Sequence, residues 1–334
     1  MSSLLAPLVP LYGAAVRAKN LAWDRGWLRA KRLQAPVVSI GNLSVGGSGK
    51  TPLAIRLAQL LTERGITVDV LSRGYGRRSK TAERVVAGGS AEQFGDEPLL
   101  IAQASGVAVF VGANRYRAGL VAEQGAGRPA LHLLDDGFQH RQLARYVDIV
   151  VLHRDDFRGR LLPAGRLREP FSSLSRAQIV AMRQEDQELE PKLRRRGFAG
   201  PVWWMERKLE LPRLSRVVAF CAIARQEEFF SGIRTGGVSI ATTRAWRDHH
   251  RYQPWDIAEL IELRRQHGAE AFLTTEKDWV RLTPVQRKTL ENAAPLHVAK
   301  LVVRLVDEPA ALEQLLGLLP ENLRERAAEV RQPS

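Results

Sequence analysis

The chain has almost no cysteine: Cys221 stands alone among 334 residues. That excludes an intrachain disulfide framework and any multi-cysteine metal site. Acidic residues are outnumbered, with 36 Asp and Glu against 50 Lys and Arg, giving a formal charge of +14. An excess of that size implies an anionic partner: nucleic acid, a membrane surface or a phosphorylated substrate. No nucleic-acid-binding motif accompanies the charge. Long apolar runs are missing too, none approaching the roughly 20 residues that span a bilayer. A secretory signal is not expected, because the leading positive charges and an A-x-A-like cleavage site are lacking. Internal repeats and low-complexity tracts are also absent. What remains is 45% hydrophobic and 26% charged sequence, enough for one large domain or two full-sized cores.

A further absence sits inside the most informative segment. Gly41-Asn42-Leu43-Ser44-Val45-Gly46-Gly47-Ser48-Gly49-Lys50-Thr51-Pro52 follows an apolar run, Pro36–Ile40, and precedes a helix-like stretch, Leu53–Leu61. Strand, glycine-rich turn, Gly-Lys-Thr and helix make up the layout of a loop that cradles nucleotide phosphates. The backbone N–H groups of Ser44 to Thr51 would close on the anion, Lys50 would reach the β/γ-phosphates and the Thr51 hydroxyl would meet Mg²⁺. The first glycine of G-x-x-x-x-G-K-[ST] is missing, replaced by Ser44.

Apolar runs alternate with helix-length segments almost throughout. Strands are expected at Thr67–Leu71, Val107–Val111, Leu131–Leu134, Asp148–Leu152, Val217–Ile223, Ala271–Thr274 and Leu296–Val303, with a short strand-like Val202–Met205 near the boundary. Helices are expected at Leu53–Arg64, Glu97–Ala104, Arg115–Gln124, Pro254–Gln266 and Glu308–Leu319. This alternation predicts an α/β fold, a parallel sheet of phosphate-loop NTPase type with helices on both faces, plus a smaller second α/β domain. The expected division is 1–34, 35–205 and 206–334. Within the first part, Ala14–Arg32 carries Arg17, Lys19, Arg25, Arg29, Lys31 and Arg32 against Asp24, with Leu21, Trp23, Trp27 and Leu28 between them. Such a segment reads as a basic amphipathic helix lying in an anionic headgroup layer, or as a helix packed on its own domain.

Several clusters could carry chemistry. Leu131–Asp136 is an apolar strand ending in two acids, and beside a phosphate loop such a strand delivers an aspartate to Mg²⁺. Either Asp135 or Asp136 could serve. Gly95-Asp96-Glu97-Pro98 opens a helix, where Asp96 could be a cap. Asp248-His249-His250 offers paired histidines without a third ligand at metal spacing. Arg73, Tyr75, Arg77 and Arg78 supply cations and an aromatic at a strand end, and Arg168-Glu169 follows a Gly- and Pro-containing loop.

Taken together, these segments resemble the tetraacyldisaccharide 4′-kinase family of lipid A biosynthesis. The resemblance rests on Gly41–Pro52, Ser72–Gly76, Gly95–Pro98, Asp135-Asp136-Gly137-Phe138-Gln139-His140, Leu162–Pro170, Asp248–His250 and Thr275-Glu276-Lys277-Asp278, in family order. Ser44 then becomes a family trait. Ala222 and Gln226 stand where a glycine and a proline are expected, and Ala245 where a Phe is. The resemblance implies transfer of the γ-phosphoryl of ATP to the 4′-hydroxyl of an acylated glucosamine disaccharide 1-phosphate, giving lipid IVA. It also implies Mg²⁺, a peripheral place on the cytoplasmic face of the inner membrane, Asp96 as base and His249 as its partner. Arg168 and Glu169 would assist at the nucleotide or metal, and Arg73, Tyr75 and Arg77 would face the substrate. The competing readings are a phosphate-loop kinase of a soluble sugar or nucleotide, and a nucleotide-gated switch.

Overall fold

The computed structural model describes residues 6–86, 88–125, 127–214 and 216–329. Twelve strands form one sheet among them: β1 Val37–Asn42, β2 Val68–Ser72, β3 Glu83–Arg84, β4 Ala108–Val111, β5 Leu131–Asp135, β6 Val147–Val151, β7 Ile179–Arg183, β8 Val202–Glu210, β9 Arg216–Cys221, β10 Ser239–Ala245, β11 Ala271–Thr275 and β12 Leu296–Leu305. Their order is β10-β9-β11-β12-β8-β7-β6-β1-β5-β2-β4-β3. Pairing is parallel except for β8 with β12 and β3 with β4. Parallel strands covered on both faces read as near-continuous apolar runs, and β1, β2, β5 and β6 are buried along their whole length. The strands β3, β7 and β10 lay outside the expected set. β3 has only two residues and β10 carries Ser, two Thr and Arg, whereas β7 does carry an apolar run, Ile179–Met182, that the sequence reading passed over.

Helices Lys50–Glu63 and Asp96–Ser105 cover one face of the β1–β5 region through Leu53, Leu57, Leu61, Leu99 and Ile101. The helix Arg115–Gln124 covers the other through Ala118 and Ala122. In the later part, Gln226–Thr235 lies on one face and Pro254–His267 with Pro284–Ala293 on the opposite one. The chain then returns: Leu312, Leu315 and Leu316 of the helix Glu308–Gly317 join the first core. Arg56 fixes this return with two hydrogen bonds to Glu308, at 2.8 and 2.6 Å. The β8–β12 ribbon joins the two regions, because β8 pairs with β7 at residues 202–205 and with β12 at 205–210.

The N-terminal helix differs from the expected Ala14–Arg32. It runs Val9–Asp24. Pro10 is tolerated in the first turn, where its missing N–H removes no bond, and Gly26, in the left-handed region at φ 73°, ends the helix as glycine does. Trp27 and Leu28 therefore lie beyond it. One side packs on its own chain, with the Tyr12 hydroxyl donating to the Arg168 carbonyl at 2.9 Å and Asn20 donating to Glu169 at 2.9 Å.

Gly41 sets the closest approach between β1 and the segment after β5. A Cβ there would lie 2.4 Å from the Phe138 Cβ and 2.7 Å from its backbone nitrogen. Gly41→Ala should therefore push back the turn that follows Asp135 and Asp136. The expected loss is about 1–3 kcal/mol, with kinase activity falling further than stability. Urea denaturation beside a turnover assay measures both, and an unchanged midpoint contradicts the packing argument.

Candidate active site

All the phosphate-loop features converge at the C-terminal ends of the parallel strands, where α/β sheets bind ligands. β1 feeds the loop and the helix Lys50–Glu63 leaves it. Gly46 and Gly49 both take φ of 98°, a conformation that glycine adopts without steric cost. Position 44 does not need it. Ser44 is buried, bridges to Leu167 in antiparallel fashion and has its hydroxyl on Asp156. The missing first glycine thus reflects a strand-like backbone at that point.

The loop is braced from several elements. Asn42 Nδ2 donates to Ser48 Oγ at 3.0 Å, and Arg168 donates to Asn42 Oδ1 at 2.8 Å and to the Ser44 carbonyl at 3.2 Å. Gln139 donates to the Asn42 carbonyl at 2.9 Å, and Arg166 donates to that of Val45 at 3.0 Å. From the later part of the chain, Arg225 Nε donates to the Gly47 carbonyl at 3.0 Å. The N-terminal amides of Lys50–Glu63, capped by no side chain, are left to bind an anion.

The two acids after β5 occupy different electrostatic surroundings. Asp136 receives a forked pair of hydrogen bonds from Arg168, both 2.9 Å, and lies 3.4 Å from Lys50 Nζ. Burial works against its charge, but Lys50 and Arg168 outweigh it and hold the carboxyl well below the usual range. Asp135 accepts from Ser72 Oγ at 3.2 Å, while its Oδ1 is buried with no hydrogen-bond partner. Burial, then Glu97, then Asp136 push its pKa up to about 7. Arg115, buried at the start of its helix, adds a third cation whose field reaches both acids.

A second cluster gathers side chains far apart in sequence. His249 Nδ1 lies 3.0 Å from Asp96 Oδ2, across 153 positions. Asp96 is not a side-chain cap; Gly95 occupies the cap and Asp96 the first helical position. Its Oδ1 accepts from the Glu97 amide at 3.0 Å, and Arg281 Nε donates to Oδ2 at 2.8 Å. Burial opposes ionisation here as well, but His249, Arg281 and Lys277 outweigh it and hold Asp96 far below the usual carboxylate range. The hydrogen bond to Asp96 raises the His249 pKa. Lys277 joins the two clusters: its Nζ is 2.6 Å from Glu97, and its charge acts on both Asp96 and Asp135.

His250 is held elsewhere, 2.8 Å from Asp256 and stacked on Trp246. At the two positions that depart from the resemblance, Ala222 accepts the His249 amide at 3.2 Å and Gln226 donates to the Trp246 carbonyl. Among the expected substrate residues, Tyr75 is 59% exposed, with its ring 5.2 Å from that of His249, and Arg73 is exposed. Arg77 is turned into its own loop, donating to Glu83 at 3.0 Å and to the Thr81 carbonyl. Glu169 is likewise engaged away from the loop, by Arg176 at 2.8 Å and by Asn20. Arg281 and Arg115 were not singled out in the sequence reading, and Lys277 and Arg225 entered it only within motifs, with no role assigned. Lys277 and Arg281 lie four positions apart on one short helix, and nothing local in the sequence ties either to Asp96 or Asp135.

No cluster of three or more His, Cys, Asp or Glu forms a metal cage among the described residues. Mg²⁺ asks for less, usually one or two carboxylates with water and substrate phosphates completing its shell. A buried Thr51 and the unpartnered oxygen of Asp135 fit that demand.

A phosphate loop followed by a strand-end acid, with a carboxylate–imidazole pair nearby, defines a phosphate-loop phosphotransferase. The profile of the family described as tetraacyldisaccharide-1-P 4′-kinase matches residues 1–320, and this chain belongs to that family. A tetraacyldisaccharide 4′-kinase of Koribacter versatilis is 44% identical over 94% of this chain and 98% of its own. One from Geobacter metallireducens is 38% identical over 93% and 96%. Among solved structures, LpxK from Aquifex aeolicus in complex with ATP superposes with a TM-score of 0.76 at 31% identity, covering 96% of this chain and 99% of that one.

The raised Asp135 pKa has a measurable consequence without metal. The folded carboxyl keeps its proton up to about 7, against an ordinary 3.8, so the folded state loses stability as pH rises between those values. In metal-free buffer, Asp135→Asn should raise the melting temperature at about pH 8 and change it little near pH 4. A difference that does not vary with pH contradicts this.

Proposed function

We infer that this chain transfers the γ-phosphoryl group of ATP to the 4′-hydroxyl of a tetraacyldisaccharide 1-phosphate, as in lipid A biosynthesis. The carrying observation is the Asp96–His249 contact at 3.0 Å, tied through Lys277 to the acids beside the phosphate loop. Phosphoryl transfer asks the protein mainly for alignment and charge neutralisation. The loop amides from Ser44 to Thr51 and Lys50 would hold the β/γ-phosphates, with Arg168 fixing the loop and Asp136 together. Thr51 and Asp135 would hold Mg²⁺, which supplies neutralisation of phosphate charge. Asp136 is the less suited acid, because Arg168 and Lys50 already engage it.

The sugar hydroxyl is a weak nucleophile at neutral pH, and Asp96 would accept its proton. A carboxylate far below its usual range is a weak base, yet it stays ionised at every working pH. In a loose transition state the proton leaves late, so alignment outweighs basicity. His249 would orient Asp96 and stabilise its charge. Arg73 and Tyr75 are the candidates for the acceptor, and Arg77 and Glu169 serve as props for the surrounding loops.

For the membrane we propose a peripheral, cytoplasm-facing association through the N-terminal segment. No helix among the described residues is long and apolar enough to cross a bilayer. Leu11 is 71% and Trp27 69% exposed, among Arg17, Lys19, Arg25 and Arg29. Side chains of that kind seat in a headgroup layer. We also propose two units, residues 35–205 and 206–334, meeting at the β8–β12 ribbon.

Asp96→Ala should cut radiolabel transfer from ATP to the purified disaccharide 1-phosphate by about 10²–10⁴-fold while ATP still binds. Near wild-type turnover contradicts the assignment, and transfer to a soluble sugar instead favours a different kinase. The double variant Leu11→Ser/Trp27→Ser should lose flotation with anionic liposomes while retaining turnover on detergent-dispersed acceptor. Unchanged flotation removes the membrane role of these side chains.

A further inference from the structure

The Asp96–His249 pair is assembled by a third residue that reaches it from the later part of the chain. Arg281 closes the six-residue helix Glu276–Arg281 and is buried. Its Nε donates to Asp96 Oδ2 at 2.8 Å, and NH2 donates to the same oxygen. That NH2 also lies 3.3 Å from His249 Nδ1. NH1 faces the other way, donating to the Ala222 carbonyl at 2.5 Å and to Asp278 Oδ1 at 3.2 Å. The guanidinium is therefore fixed on both sides.

Its frame is rigid. Asp278 is fully buried and is itself held by the Ala222 amide at 3.0 Å, the Tyr252 hydroxyl at 2.9 Å and Thr275 Oγ1 at 2.6 Å. Ala222 accepts the amide of His249 as well. One residue of β9's following turn thus anchors both the imidazole-bearing loop and the arginine. His249 needs such anchoring, because its φ of 61° is a strained, left-handed conformation for a residue with a side chain.

We propose that Arg281 is a positioning residue for phosphoryl transfer, holding Oδ2 of Asp96 and the Nδ1 edge of His249 together across the junction of the two halves. The inference rests on reading Asp96 as the base. Lysine cannot replace it: the planar fork spans Asp96 on one side and Ala222 and Asp278 on the other, whereas an ammonium is a single point of charge. The charged groups facing Asp96 are Arg281 and Lys277 from the short helix, His249 from its loop and Glu97 from its own helix. Asp248 lies beyond, 4.0 Å from Arg281 and 3.8 Å from His249.

The test compares wild type, Arg281→Gln, Arg281→Lys, Asp96→Asn and Asp96→Asn/Arg281→Gln. For each, kcat and KM for both substrates are measured, with ATP affinity by calorimetry and folding by thermal melting. Arg281→Gln should lower kcat by about 10–100-fold with ATP affinity little changed. The loss should fall on kcat with KM for both substrates little changed, because Arg281 aligns Asp96 and touches neither substrate. Arg281→Lys should restore only part of kcat, because it returns the charge without the fork, and it carries the test if the Gln variant does not fold. The double variant should be no slower than Asp96→Asn, since Arg281 acts through Asp96. A loss carried by a raised KM, additive losses, or an Arg281→Gln enzyme as fast as wild type or faster overturns the proposal. A fully active Asp96→Asn enzyme defeats the base assignment itself, whereas an inactive one beside a normal Arg281→Gln defeats only the role of Arg281.

Discussion

Two neighbouring carboxylates at the buried end of one strand repel each other, and the site depends on how that repulsion is resolved. Asp136 is neutralised by the Arg168 fork and by Lys50, whereas Asp135 is left with a buried, unpartnered oxygen and a raised pKa. The pair is thereby split into one acid committed to the protein and one open to a cation. The same arginine links this division to the phosphate loop, because Arg168 also reaches Asn42 and Ser44. Loop shape and acid chemistry are therefore coupled through one guanidinium.

A second constraint is that the proposed catalytic groups come from distant stretches of chain. The first half supplies the loop, the strand-end acids and Asp96. The second supplies His249, Lys277 and Arg281, along with Arg225 on the Gly47 carbonyl. Charge makes the match: Asp96 and Glu97 at one helix start face Arg281 and Lys277 on a helix from the other half. The β8–β12 ribbon and the returning helix Glu308–Gly317, held by Arg56, keep these parts in reach. On the proposed assignment, phosphoryl transfer depends on this junction as much as on the phosphate loop.

Much of this was legible in the sequence, for identifiable reasons. Gly46, Gly49, Lys50 and Thr51 are recognisable because a phosphate-loop motif fixes their spacing. Asp135-Asp136 is recognisable only because that loop precedes it, since a strand ending in two acids is a weak signal by itself. The alternation of apolar runs gave most strands to within one or two residues. The N-terminal helix was misplaced because its charge and tryptophans extend past Gly26, where the helix has already ended. The contact between Asp96 and His249 could be expected only from the family resemblance, since no local pattern links residues 153 positions apart. The partners of Arg281 and Lys277 were hidden for the same reason, and Arg77 looked available because its pairing with Glu83 depends on how its own loop folds. Gln226 stood out as a departure, yet only the fold reveals its bond to the Trp246 carbonyl.

The central claim is that this junction directs the γ-phosphoryl group to one hydroxyl of a lipid disaccharide. The most direct measurement is the regiochemistry of the product, read by two-dimensional ¹H–³¹P correlation after incubation with ATP and tetraacyldisaccharide 1-phosphate. The account predicts one new phosphomonoester signal correlated with the proton at the 4′ position and an undisturbed 1-phosphate. A new phosphate correlated with any other position, or ATP consumed with no phosphorylated acceptor, would contradict it.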